Sequence, residues 1–269
     1  MDNAANNKTS MKELSRLPEE CQIDYDPIDN NIPCFPHVIN ICVKHIIDNY
    51  VTVDFSCVKD TWDVCGQPID KKDYVSAITG KALECARNVV RSIRASDQRR
   101  GNFRDTIVIG DDKEWFQGDD GKPIKLPTVE LMLDEPTHWD SVYVMLNLPQ
   151  AVNLFFESAN QRSIHEKKLS PMEWHFLQDF EVILEPPHRA QQFMSSESTP
   201  MLGSAIPTFE RLLEDWKQLA DGAPHCAPLI YIGLSWAEKY DDRMACTKAY
   251  AVAMFIDPTC RLSWVEEHW

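Results

Sequence analysis

Residues 170–187, SPMEWHFLQDFEVILEPP, decide how the second half of the chain is read. Ser170 and Glu173 stand at capping-box spacing, and Pro171 takes the first helical position, where a missing N–H costs nothing. Trp174, Leu177 and Phe180 then recur at helical spacing, so the segment starts a helix with one apolar face. Pro186-Pro187 is expected to close it, because an interior proline removes a hydrogen bond and crowds the preceding turn.

The same periodicity extends outward on both sides. Downstream, Phe209, Leu212, Leu213, Trp216 and Leu219 make a helical stripe ended by Gly222 and Pro224. Two more helices are predicted at about 227–240 and 245–256, the last halted by Asp257-Pro258. Upstream, Val142, Met145, Leu146, Val152, Phe155 and Phe156 read as helix, with Pro149 forcing a kink or break. Ser263 and Glu266 form another capping box close to Trp269, a helix begun and not completed, from which a truncated chain is expected.

Residues before Trp139 read differently. Val38, Ile41, Cys42, His45 and Ile46, with Ile39, Val43 and Ile47, predict a helix that is apolar on most sides and therefore buried. A second helix is expected over about 73–95, with Val75, Ile78, Ala82, Ala86, Val89, Val90 and Ile93 inward. Residues 54–72 look irregular. Residues 106–125 join a β-branched run to Gly-Asp-Asp and Asp-Asp-Gly turns and predict a hairpin or surface loop, and 128–133, TVELML, predicts a strand. A short helix is expected over 8–17 and a loop over 18–33. The expected layout is a mixed α/β portion, 1–139, followed by an all-α portion, 140–269.

Composition narrows the class. Hydrophobic residues make up 43% of the 269, with eight Trp, which is enough to fold most of the chain around cores. The net charge of −15 repels phosphate backbones unless cations are gathered on one face, so autonomous, non-specific nucleic-acid binding is disfavoured. One run offers such a face: Arg87, Arg91, Arg94, Arg99, Arg100 and Arg104. Nine scattered cysteines fit reduced thiols of the nucleus or cytoplasm better than a disulfide framework. No apolar run approaches the ~18 residues that cross a bilayer, so no membrane association is expected.

Three ordered motifs then carry a resemblance. Asp2-Asn-Ala-Ala-Asn-Asn7 is similar to the Asp-Asn-Ala-Ser-Asn-Asn segment of hAT-superfamily DNA transposases. Cys34-Phe-Pro-His37, continued by Asn40-Ile-Cys-Val43, resembles that family's Cys-x-x-His followed by Asn-Leu-Val-Val. Pro136-Thr-His-Trp139-Asp-Ser-Val-Tyr143 resembles its Pro-Thr-Arg-Trp-Asn-Ser-Thr-Tyr. Residues 96–103, Leu184-Glu-Pro, Pro200 and Ala253-Met-Phe-Ile-Asp-Pro258 look like further landmarks, so the resemblance covers nearly the whole chain.

The resemblance implies a partial RNase H-like core over 1–139 and a helical insertion domain, itself truncated, over 140–269. It implies metal-dependent DNA cleavage and strand transfer by the ancestral enzyme, in which three carboxylates hold two magnesium or manganese ions. Only one of those carboxylates, Asp2, has a match here. The first family Asp is expected before this segment and the Glu beyond the insertion. A single acid near a chain terminus is not expected to hold a metal pair, so Asp2 is read as an ancestral catalytic residue without function.

Trp139 matches a family Trp that stacks on a flipped base, a contact worth about 1–3 kcal/mol. His138 stands where the family has Arg, losing a permanent cation beside DNA. With Arg99 and Arg100 these make the candidate nucleic-acid-binding set. Cys34 and His37 are expected to be structural at the edge of the active site and not zinc ligands, because no second pair follows at finger spacing and His225 and Cys226 are adjacent. No metal or cofactor is expected in this chain. The leading expectation is an inactive transposase relic with residual contact to DNA. The alternatives are a domesticated helical scaffold that associates with itself, and a piece of an intact enzyme whose flanking exons supply the remaining acids.

Overall fold

The computed structural model of the chain describes residues 13, 32, 34–64, 67–118, 121–128, 131, 143, 146, 148–158, 164–195, 201–245 and 247–257. Among these residues the protein is mostly helical, with one small antiparallel sheet. The element order is α1 (Phe35–Asn49), β1 (Thr61–Val64), β2 (Gln67–Asp70), α2 (Lys71–Thr79), α3 (Ala82–Arg94), α4 (Asp97–Asp112), α5 (Pro149–Glu157), α6 (Pro171–Met194), α7 (Ala205–Gly222), α8 (Ala227–Ala245) and α9 (Ala249–Ile256). None of the described helices is long and apolar enough to cross a membrane. The chain forms two compact units, one taking the described residues up to Tyr50 and from Glu185 onward, the other spanning Val51–Leu184.

In the first unit, α1 packs on α8, and α8 on α7. Helix α1 has Pro36 in its first turn but no side-chain cap bond among the described residues and no acid in that turn. Its stability therefore comes from the buried side: Phe35, Val38, Ile39, Cys42, Val43 and Ile46. Burying each of the larger aliphatic or aromatic members of that set contributes about 1.5–3 kcal/mol. Burial also pushes the Cys42 thiol up to about 12, keeping it neutral as a small hydrophobe. Gly233 on α8 lets the helices approach: a Cβ there would lie 2.8 Å from Ile46 Cδ1 and from Trp216 Cη2. Helix α9 packs on the 3-10 turn Leu202–Ser204.

Four sequence expectations change in the structure. Residues 61–70 form a hairpin, with Thr61 opposite Asp70 and Val64 opposite Gln67. Its four-residue strands carry Pro68 and the two acids Asp63 and Asp70 around Trp62 and Ile69, leaving little alternation to detect. The helix expected over 73–95 is two helices. Gly80 donates its N–H back to Ser76 O, and Lys81 adopts φ 61, a left-handed conformation that ends α2 and lets α3 begin.

The β-branched run Ile107-Val-Ile109 is helical and not a hairpin strand, because Phe103, Ile107 and Gly110 fall on one buried face at helical spacing while Val108 and Ile109 are exposed. The turn expected after it is present as an isolated Gln117–Pro123 bridge with Gly121 at φ 72. Finally, α6 continues through Pro186 and Pro187 to Met194. Both prolines are buried, as are Ile183, Leu184 and Ala190 around them, so packing outweighs the lost backbone bonds.

Other expectations match. Glu173 N donates to Ser170 Oγ at 3.2 Å and Ser170 N to a Glu173 carboxylate oxygen at 2.7 Å, completing the capping box. Helix α5 begins at Pro149, and α7 ends at Gly222. The expected helix over 8–17 and loop over 18–33, the strand over 128–133 and the boundary at 139/140 fall almost wholly outside the described residues.

Candidate nucleic-acid interface

Helices α3 and α4 pack together within the Val51–Leu184 unit, and the basic run rides on them. Ser96 caps α4, accepting a hydrogen bond from Arg99 N at 3.2 Å, which sets Arg99 and Arg100 in the first turn. Arg100 pairs with Asp97 on the same turn. Arg99 instead reaches back to α3, where Nη1 donates to Ser92 O at 3.1 Å. Arg87 pairs with Glu84, Arg91 donates to Asn88 Oδ1 at 2.9 Å, and Arg94 donates to Leu131 O. Arg99 thus ties α4 to α3 and Arg94 ties α3 to residue 131, whereas Arg87, Arg91 and Arg100 bond within their own helices. Arg91 and Arg104 are exposed, and Arg94, Arg99 and Arg100 are half-buried.

Lys167 joins this group from outside the basic run. Its Nζ donates to Ser92 Oγ at 2.9 Å across 75 residues of chain, while Ser92 itself is buried and donates to Asn88 O at 2.6 Å. Arg99 and Lys167 therefore converge on the last turn of α3, where cations complement the helix dipole. Neither residue's spacing in sequence could reveal that meeting, because it depends on how α4 and residues 164–167 fold over α3.

Cys34 and His37 lie in the other unit. Cys34 is the N-cap of α1, with its O accepting from Val38 N at 3.0 Å, and His37 sits within the first turn; both are half-buried. Burial, with a smaller electrostatic push from Cys34, raises the Tyr250 hydroxyl of α9 to about 12. Asp2, His138 and Trp139 lie outside the described residues. On the same unit, His45 of α1 stacks on Trp236 of α8 with centroids 3.6 Å apart, and Lys239 lies over the Trp236 ring at 3.9 Å. Burial, with Lys239 and Lys44 adding repulsion, lowers the His45 pKa against the pull of Asp48. No protein-family model, curated protein or solved structure matches the chain.

Proposed function

We propose that the chain derives from a hAT-type DNA transposase and retains weak contact with DNA without cutting it, its partial RNase H-like core lying within 1–139 and its helical insertion domain within 140–269. The observation that carries this reading is the ordered series of motifs at Asp2–Asn7, Cys34–His37 and Pro136–Tyr143. Within these 269 residues only Asp2 corresponds to one of the three carboxylates that two-metal chemistry needs. Arg99, Arg100, Trp139 and His138 are the proposed DNA contacts, set against a net charge of −15. In a nicking assay on hairpin and flanked duplexes, no magnesium- or manganese-dependent product is expected. Cutting that disappears in Asp2→Ala would overturn this. Duplex binding is expected to be weak and to fall steeply with salt. Sub-micromolar affinity at physiological salt, lost in Trp139→Ala, would instead show a fully functional DNA surface.

A second reading, self-association through the helical part, is favoured by α9. Val252, Phe255 and Ile256 are 54%, 64% and 72% exposed on a helix otherwise made of alanines, Tyr250 and Met254. Sedimentation equilibrium is expected to show a dimer that Phe255→Asp converts to monomer. A wild-type chain that stays monomeric across the concentration range removes this reading.

A further inference from the structure

Helix α4 turns apolar side chains outward in its C-terminal half. Val108 and Ile109 are 43% and 44% exposed, on the side away from the buried Phe103, Ile107 and Gly110. Asp105 stands one turn before this pair and Asp112 one turn after it, so helical spacing puts both carboxylates on the same face. Both acids are exposed, and neither is bonded to another described residue. Arg104 and Lys113 stand at the two margins of the face.

The way α4 ends extends this surface. Trp115 N donates to Gly110 O at 2.9 Å and Glu114 N to Asp111 O at 3.4 Å, the two bonds of a Schellman ending, with Glu114 at φ 55. In such an ending the residue at the position of Trp115 commonly packs beside the one at the position of Ile109. Trp115 is 47% exposed, and Lys113 Nζ lies over its ring, 4.9 Å from the centroid. The ring face already receives a cation. Glycine would take the Glu114 conformation more easily, yet a third exposed carboxylate stands there.

We propose that this face of α4 docks a basic amphipathic helix of a partner protein, whose apolar side covers Val108, Ile109 and Trp115 and whose cations meet Asp105 and Asp112. Charge complementarity selects the occupant: from Asp105 to Trp115 the chain carries four acids and one lysine. Burial of the apolar side chains supplies affinity, and the free carboxylates set orientation and register. Asp105 and Asp112 lie about 10.5 Å apart along the helix axis, so cations at i and i+7 of the partner helix match them. A second copy of this chain fits poorly, because it would set these acids against a surface of net charge −15. The face is distinct from Arg99 and Arg100 in the first turn of α4, and the docking does not depend on the proposed DNA contact.

The test follows the fluorescence anisotropy of a labelled amphipathic peptide of leucine and lysine, with lysines at i and i+7, as the full chain is added. Saturable one-to-one binding that weakens with salt is expected. Asp105→Lys combined with Asp112→Lys should weaken it about tenfold or more. Asp73→Lys combined with Glu166→Lys changes the net charge equally, at exposed positions elsewhere in the Val51–Leu184 unit, and should leave it nearly unchanged. Equal losses in the two double variants would reduce the binding to long-range attraction and overturn the proposal, as would equal binding of an analogue with glutamate in place of lysine. Hydrogen exchange on the wild-type chain decides the matter even if a variant fails to fold. Protection by the peptide is expected over 104–115, and protection confined to other segments would refute the site. Self-association of the free chain that Val108→Asp abolishes would assign the face to a second copy instead.

Discussion

Replacing Trp216 by alanine is expected to destabilise the unit built on α1, α7 and α8 by about 3–5 kcal/mol, the range for removing a large aromatic from a core. Trp216 is fully buried, and its Cη2 lies 2.8 Å from where a Cβ on Gly233 would stand, with Ile46 Cδ1 equally close. The indole therefore fills the space that glycine opens between helices, and nothing smaller can fill it without the helices moving. The same geometry makes Gly233→Ala destabilising in the wild-type background, because the added methyl meets both neighbours inside contact distance. In the Trp216→Ala background one of those neighbours is gone, so the methyl should cost less. Urea unfolding of the four chains of this cycle measures the coupling. Strict additivity, within about 0.5 kcal/mol, would show that Trp216 and Gly233 do not share one packing site.

What could be read in advance followed from how local each signal was. The capping box at Ser170 and Glu173 is a pattern of four residues whose bonds close on themselves, and the structure holds both of them. The stripe from Phe209 to Trp216 is equally local and became the buried side of α7. Pro186-Pro187 misled because proline's penalty is local while its compensation, burial among Ile183, Leu184 and Ala190, comes from tertiary packing. Ile107-Val-Ile109 has strand-like composition, yet the spacing of Phe103, Ile107 and Gly110 on one buried face makes it helix. At the candidate interface, Arg99 and Arg100 could be named from their place in a basic run. Lys167 could not, because it meets Ser92 only through the fold. The Tyr74 to Asp179 hydrogen bond spans 105 residues, so a pairing of that kind leaves no trace in any short window.

Phe155→Ala is expected to cost the Val51–Leu184 unit a similar amount, about 3–5 kcal/mol. Phe155 is fully buried, with its ring edge-on to Phe103 of α4 and to Phe156, each with centroids 5.7 Å apart. Losing it empties the seam where α5 packs on α4 and also removes both aromatic edge contacts, which are worth about 0.5–1.5 kcal/mol beyond their buried area. The contrast lies one turn earlier on the same helix. Gln150 accepts from Gln117 N at 3.0 Å and donates to Gln117 O at 2.7 Å, clasping the turn that Phe116 and Ile124 close, yet it is exposed. Water can replace both of those bonds, so Gln150→Ala should cost only about 0.5–1.5 kcal/mol. Denaturant midpoints for the two variants, read at unchanged slope, should therefore separate clearly. If Gln150→Ala proved as damaging as Phe155→Ala, α5 would be held by its polar clasp and not by its aromatic seam.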